Sequence, residues 1–263
     1  MTSAESERIK QLQALVRRQA QQLQRLRDRV ARLEKVWAFS IDDPEIRWLY
    51  ENRSERMDAT VPIFDEGRAE FHLARYRFAA QFTTGKHVVD IACGTGYGVR
   101  ALVELGHAAS VLGIDCCPEA IAYAQRKHSL NNTDYRIGTA EDTGLSSDEF
   151  DVAVSFETIE HLVDDQAFLR ELARILKPDG LLICSTPNQW PLDIAPHHYR
   201  VYDYATFKEL LSKYFQEVQF FNQNSGTRSP FNHGQPAGVV LTTPANQAMA
   251  ECFLAVCKRK IKA

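Results

Sequence analysis

Apolar positions along this chain follow two rhythms. Over the first forty residues, Ile9, Val16, Leu23, Val30 and Trp37 recur every seven residues, and Leu12, Leu26 and Leu33 fill a second seam in which Gln19 is the polar member. The segment has no Gly and no Pro, and a double seam sustained over about four heptads predicts a coiled-coil helix. β-Branched Ile9, Val16 and Val30 on one seam with leucine on the other favour self-association through residues 9–37 as a parallel dimer, with a trimer second; Gln19 would set the register. The competing readings are a lone amphipathic helix folded onto its own domain and a basic helix on anionic lipid. The arginines are spread round the helix rather than gathered on one face, which weighs against lipid. Asp43-Pro44 breaks the pattern, because proline cannot continue the helical ladder and disfavours helix in the residue before it. Two domains follow: a coiled-coil helix over 1–40 and a second domain over 41–263, opened by a helical cover at 41–85.

Past Gly85-Lys86 the rhythm changes to short apolar runs separated by helix-length segments. Val88-Val89-Asp90-Ile91 and Val111-Leu112-Gly113-Ile114-Asp115 read as the first two strands, Asp134–Gly138 as the third and Phe150–Phe156 as the fourth, the last nearly all apolar as a central parallel strand should be. Helices are predicted from Pro118 to about His128, over Gln166–Leu176 up to the Lys177-Pro178-Asp179-Gly180 stop, and over Ala205–Tyr214. Leu181–Ser185, a run around Val218–Phe221 and Cys252–Cys257 complete the strands. Strands alternating with helices and closing with two neighbouring strands predict an α/β fold, a Rossmann-like seven-stranded mixed sheet flanked by helices. Residues 222–250, rich in Gly, Pro, Ser and Asn, are expected to be a long loop, a lid or an interaction segment.

Composition adds little to the class and something to the partners. With 44% hydrophobic and 25% charged residues the chain is an ordinary globular sequence. No apolar run approaches a membrane span, and the start is too polar for a signal peptide, so a cytoplasmic protein is expected. The cysteines lie mostly in apolar strand contexts without a C-x-x-C pair, which fits reduced thiols. Residues 1–40 hold nine Lys and Arg against four acids, a net of +5, which leaves −8 for the remainder of a chain whose net charge is −3. An acidic second domain argues mildly against nucleic acid as a partner.

The first two strand ends carry the chemistry. Ligands bind outside the carboxyl ends of parallel strands, where glycine lets the backbone approach closely. The loop here is Gly94-x-Gly96-x-Gly98, not the G-x-G-x-x-G of a dinucleotide site, and Asp90 lies four residues ahead of it. A carboxylate there would repel a pyrophosphate but suits an ammonium, while Asp115 at the end of the second strand can accept hydrogen bonds from both ribose hydroxyls. S-adenosylmethionine has an ammonium and a sulfonium and no phosphate; the competing readings are a Rossmann-type NAD site and a tight strand–helix turn that holds no ligand. The stretch Asp90-Ile91-Ala92-Cys93-Gly94-Thr95-Gly96-Tyr97-Gly98 closely resembles the first motif of class I S-adenosylmethionine-dependent methyltransferases. Together with Glu55-Arg56-Met57, Glu70–Tyr76 and Phe156–Leu162, it resembles methyltransferases of bacterial polysaccharide and lipopolysaccharide clusters over about residues 50–220. That resemblance implies an antiparallel last strand and a cofactor set of Asp90, Ala92, Gly94, Gly96, Asp115, Cys116, Ala140, Glu141 and Glu157. Thr139 departs from the family, which often has Asp there; Glu141 or Asp142 would then serve the adenine. Arg56, His72 and Tyr76 are expected over the cofactor as a lid, against the plainer reading of a surface helix.

Glu157, Glu160 and His161 cluster within five residues of the fourth strand, where a methyl acceptor must sit. Either His161, with Glu160, is a general base for an acceptor hydroxyl, or Glu-x-x-Glu-His supplies ligands to a divalent cation such as magnesium, or the cluster is a structural turn. The metal pattern resembles ubiquinone-pathway O-methyltransferases and small-RNA 2′-O-methyltransferases, which use a further downstream His; His197 and His198 are both available. His198-Tyr199-Arg200-Val201-Tyr202 also resembles those families and would wall the acceptor pocket, unless the two tyrosines simply pack on the sheet. The resemblance implies O-methylation, first of a sugar hydroxyl on a glycan or glycosylated metabolite, second of a small phenolic or quinone-type acceptor. A non-catalytic scaffold that senses the cofactor and oligomerises through its coiled coil is the reading from a different class.

Overall fold

A computed structural model describes residues 42–53, 56–193, 195, 197–226 and 234–261, together with Leu12, Val16, Gln19, Ala20, residues 23–27 and Val30. The chain divides into two units, residues 1–55 and 56–263. In the first, Leu12, Val16, Gln19, Leu23, Leu26 and Val30 are helical and exposed; the other seam positions Ile9, Leu33 and Trp37 lie outside the described residues. Asp43 then caps α1 (Pro44–Glu51), its carboxylate accepting from the Glu45 and Ile46 amides with proline at the first turn.

The second unit opens with α2 (Glu66–Ala80), capped by Asp65. Strands and helices then alternate: β1 (His87–Ile91), α3 (Tyr97–Glu104), β2 (Ser110–Asp115), α4 (Pro118–Lys127), β3 (Thr133–Ile137), β4 (Phe150–Phe156), α5 (Asp165–Ile175), β5 (Leu176–Pro187) and α6 (Tyr204–Ser212). β6 (Phe215–Asn224), β7 (Gly238–Leu241) and β8 (Cys252–Lys260) close the chain. The sheet order is β3-β2-β1-β4-β5-β8-β6-β7. The first five strands pair in parallel, and β8 lies antiparallel between β5 and β6. β1 and β4 are buried nearly throughout, as parallel strands covered on both faces must be. One face packs on α2, α3 and α4 through residues such as Ala79, Leu102, Ile121 and Val152; the other packs on α5 and α6 through Phe168, Leu172, Phe207 and Phe253.

The mixed α/β sheet agrees with the sequence pattern, but among the described residues it has eight strands rather than seven. The extra strand, β7, comes from the segment expected to be loop over 222–250: Phe221 pairs with Leu241 and Asn224 with Gly238. Gly238-Val239-Val240-Leu241 is too short, and too closely flanked by Pro236 and Pro244, to stand out as a period-2 run. The remaining boundaries shift by a few residues, the largest being β5, which begins at Leu176. Among the described residues no helix is long and apolar enough to cross a membrane.

Candidate active site

β1, β2 and β4 end side by side, and non-glycine residues with positive φ stand at two of those ends, Ala92 (62°) after β1 and Glu157 (52°) after β4. Such backbone costs energy and concentrates where geometry serves a ligand. Between them runs the glycine loop. A Cβ on Gly96 (φ 84°) would stand 2.6 Å from the Ala124 Cβ, and one on Gly98 would stand 1.9 Å from the Tyr76 ring, so the second and third glycines are demanded by packing. A Cβ on Gly94 (φ 55°) would meet nothing within 4 Å: that side of the loop is open. Asp115 ties the loop to β2, its Oδ2 accepting from the Gly94 amide at 2.9 Å and its Oδ1 from the Cys117 amide at 2.9 Å. The Arg56 guanidinium stands 3.6 Å from the same carboxylate.

Asp90 is fully buried at the end of β1. The Tyr76 hydroxyl donates to its Oδ2 at 3.1 Å, while Oδ1 has no partner among the described residues. Burial pushes the Asp90 carboxyl up to about 8; the Tyr76 bond works against this and the nearby Asp115 charge works with it. Tyr76 stands edge-on to Phe156 and Tyr97, at 5.0 and 5.4 Å between ring centres. It is therefore a buried wall of the cleft, not part of a lid. Of the expected lid, Arg56 reaches Asp115 and His72 lies half-buried beside Arg75. Above the loop a strap crosses: Thr95 donates to the Met57 carbonyl at 2.6 Å, and buried Asp58 accepts from the Thr60 amide, Thr60 hydroxyl, Tyr123 hydroxyl and His128 Nε2 at 2.6–2.9 Å.

The acceptor side is built from a turn of 3₁₀ helix, Ile159–His161, and the end of β5. Glu157 accepts from the Ser185 hydroxyl at 2.8 Å and faces the Arg75 guanidinium at 3.4 Å. Glu160 is buried; Thr186 donates to its Oε2 at 3.1 Å and its Oε1 has no partner among the described residues. Burial, joined by the charge of Glu157, pushes the Glu160 carboxyl well above its ordinary range. His161 Nδ1 lies 3.1 Å from the His197 carbonyl, which can only accept, so Nδ1 carries the proton and Nε2 keeps its lone pair. The His198 ring meets His161 edge-on at 4.6 Å, and burial holds His198 below its ordinary value. One donor atom each from Glu160, His161 and His198 lie within 4.8 Å of one another. Of the two candidate downstream histidines, His198 is thus the one that brings its ring to the cluster. Oxygen and nitrogen donors in this number suit a divalent cation, and the orphaned Glu160 oxygen fits one.

The structure brings Asp90, Ala92, Gly94, Gly96, Asp115 and Glu157 to one group of adjacent strand ends, with Glu160 and His161 beside them. Cys116 stands exposed just past Asp115, and Ala140 and Glu141 are half-buried in the turn after β3, where the Thr139 hydroxyl donates to the Asp142 carbonyl rather than into the cleft. Tyr202 packs on Phe207, whereas Tyr199 is exposed. Arg75, Asp58 and Ser185 were not singled out from sequence. Ser185 could have been, as a polar residue at the end of an apolar strand; nothing local marks the other two.

Residues 89–184 match the family described as "Methyltransferase domain". A ubiquinone biosynthesis O-methyltransferase of Cereibacter sphaeroides is 38% identical over 113 residues, 42% of this chain and 45% of that protein. A probable S-adenosylmethionine-dependent methyltransferase of Mycolicibacterium smegmatis is 30% identical over 170 residues, 62% of this chain and 65% of that one. The match thus spans less than half the length of the first relative and less than two thirds of the second. A solved methyltransferase structure from Thermotoga maritima shares the fold at 18% identity, with a TM-score of 0.56 over 72% of this chain and 89% of that one.

Proposed function

We propose that the protein, whose residues 89–184 match a methyltransferase domain, is a class I S-adenosylmethionine-dependent methyltransferase that transfers the cofactor methyl to a hydroxyl of a small-molecule or glycan acceptor. The observation that carries this reading is the pairing of two half-sites across adjacent strand ends. On one side are an unpartnered buried Asp90 oxygen and the open face of Gly94; on the other are the unpartnered Glu160 oxygen and the His161–His198 pair. Asp90 would hold the methionine ammonium and Asp115 the ribose, with Ala92, Gly94, Gly96, Cys116, Ala140, Glu141 and Glu157 around them. When bound, the cofactor supplies an electrophilic methyl; the chain's part is to orient the acceptor oxygen and accept its proton. His161 Nε2 has the free lone pair for that proton, with Glu160 beside it. The same three side chains support a second reading, in which Glu160, His161 and His198 hold a divalent cation such as magnesium that acidifies the acceptor hydroxyl.

For the acceptor, a sugar hydroxyl is proposed first, from the resemblance of the segments around Glu70–Tyr76 and Ile91–Gly98. A phenolic or quinone-type hydroxyl is second, favoured by the likeness to the ubiquinone biosynthesis enzyme. Cytoplasmic residence is proposed from the six free cysteines. Calorimetry with S-adenosylmethionine tests the site: Asp115→Ala should lose binding while still melting cooperatively, at a lower temperature because the Gly94 and Cys117 amides lose their acceptor, and unchanged affinity would remove the cofactor assignment. Cofactor consumption against nucleotide sugars, glycans and catechols then tests turnover. Binding without consumption across the panel would favour a cofactor-sensing scaffold, and activity indifferent to EDTA would rule out the metal reading.

A further inference from the structure

Arg75 sits in the middle of α2 and is 1% exposed. A guanidinium is always charged, so burial at this depth has to be met by matched partners. Its Nε donates to Gln223 Oε1 at 2.7 Å, its Nη1 lies 3.4 Å from His72 Nδ1, and its plane stacks 4.7 Å from the centre of the Phe71 ring. The Gln223 amide nitrogen donates in turn to the Phe71 carbonyl, which turns the Gln223 oxygen toward the arginine. Nη2 points to the cleft, 3.4 Å from Glu157 Oε2 and 3.6 Å from Cys252 Sγ. The guanidinium is therefore gripped by α2, β6 and β8, and the charge it meets belongs to Glu157.

Glu157 needs such a hold. Its backbone is left-handed, so its side chain leaves β4 in a direction the strand does not set. Ser185 fixes one carboxylate oxygen and Arg75 faces the other. The next residue of α2, Tyr76, does the same for Asp90 at the end of β1. Consecutive residues of one helix thus take the acids at the ends of two adjacent strands, Arg75 neutralising Glu157 and Tyr76 leaving one Asp90 oxygen free.

We propose that Arg75 is a positioning residue that acts through Glu157 to hold the amino-acid end of the cofactor cleft in its binding shape. The proposal rests on the cofactor reading above. Its test is a double-mutant cycle read by calorimetry with S-adenosylhomocysteine, with thermal melting recorded beside it. Arg75→Met and Glu157→Gln should each weaken binding about tenfold, and the double variant should also lose about tenfold rather than about a hundredfold, because the two side chains form one unit. Multiplicative losses, or full affinity in Glu157→Gln, would overturn the proposal. If Arg75→Met does not fold, Arg75→Lys replaces it; this keeps the cation, so it should bind more tightly than Glu157→Gln, and the reverse order counts against the proposal. A wild-type chain that fails to bind S-adenosylhomocysteine would overturn the cofactor reading and this proposal with it. Normal wild-type binding, lost in Asp115→Ala but intact in Glu157→Gln, would overturn this proposal alone.

Discussion

Asp90 shows how a single residue can hold two opposed requirements. Burial with one hydrogen bond favours its neutral form, and a cationic ligand group needs its ionised form. In the free protein its carboxyl is pushed up to about 8, against 3.8 for an ordinary aspartate. Between these values the unfolded chain has given up a proton that the native chain keeps. Stability from the neutral buried carboxyl is therefore complete below about pH 4 and is lost progressively as pH rises through about 8. Asp90→Asn mimics the neutral form at every pH. It should raise the melting temperature of the free protein, by more at about pH 8 than at about pH 5, and weaken S-adenosylhomocysteine binding at least about tenfold. A variant that melts lower than the wild type at the higher pH would contradict the assignment of Asp90 as a strained, ligand-directed acid.

At the scale of elements, the strap over residues 56–60 depends on one carboxylate. Burial alone would raise Asp58, but the bonds from His128 and Thr60 outweigh it and hold the group below its ordinary range. That contribution is present above about pH 4 and is lost as pH falls through the depressed value. Asp58→Ala would leave His128 and Tyr123 buried without their acceptor, at a cost of about 3 kcal/mol measurable by urea unfolding at neutral pH. A loss no larger than that of a surface substitution, about 0.5 kcal/mol, would show the strap is held by other contacts. β1, β2 and β4 were legible in the sequence because each is an apolar run with an acid at or next to its end, the pattern imposed when both faces are buried and the end meets a ligand. The strap and the Arg75 anchor were not legible. A buried arginine inside an amphipathic helix reads as part of its polar face, since its partners Gln223, Cys252 and Glu157 come from distant parts of the chain. His197 and His198 were indistinguishable for a related reason. Adjacent residues in irregular chain have no period to orient them, and only the fold turns one ring toward His161.

At the scale of the whole molecule, the unexplained feature is the apolar seam of the first unit. Leu12, Val16, Leu23, Leu26 and Val30 are helical, yet each is half or more exposed, between 50 and 62%. Burying such a side chain is worth about 1.5–3 kcal/mol, so leaving a row of them in water is unfavourable for a single chain. The heptad spacing gives the geometry in which a second copy would cover them, and Gln19 on the same seam would penalise slipped registers. We propose a parallel dimer formed through residues 9–37, which would tether two catalytic units and bring the +5 charge of each leading segment together. Sedimentation equilibrium of the full chain should give about twice 29.9 kDa, and Leu23→Asp/Leu26→Asp should sediment at 29.9 kDa with unchanged S-adenosylhomocysteine affinity, because both substituted positions belong to the first unit while the cleft residues belong to the second. A mass of about three chains would replace the dimer with a trimer through the same seam. A wild-type chain already at 29.9 kDa would leave the heptads without a self-partner and return the segment to a single amphipathic helix.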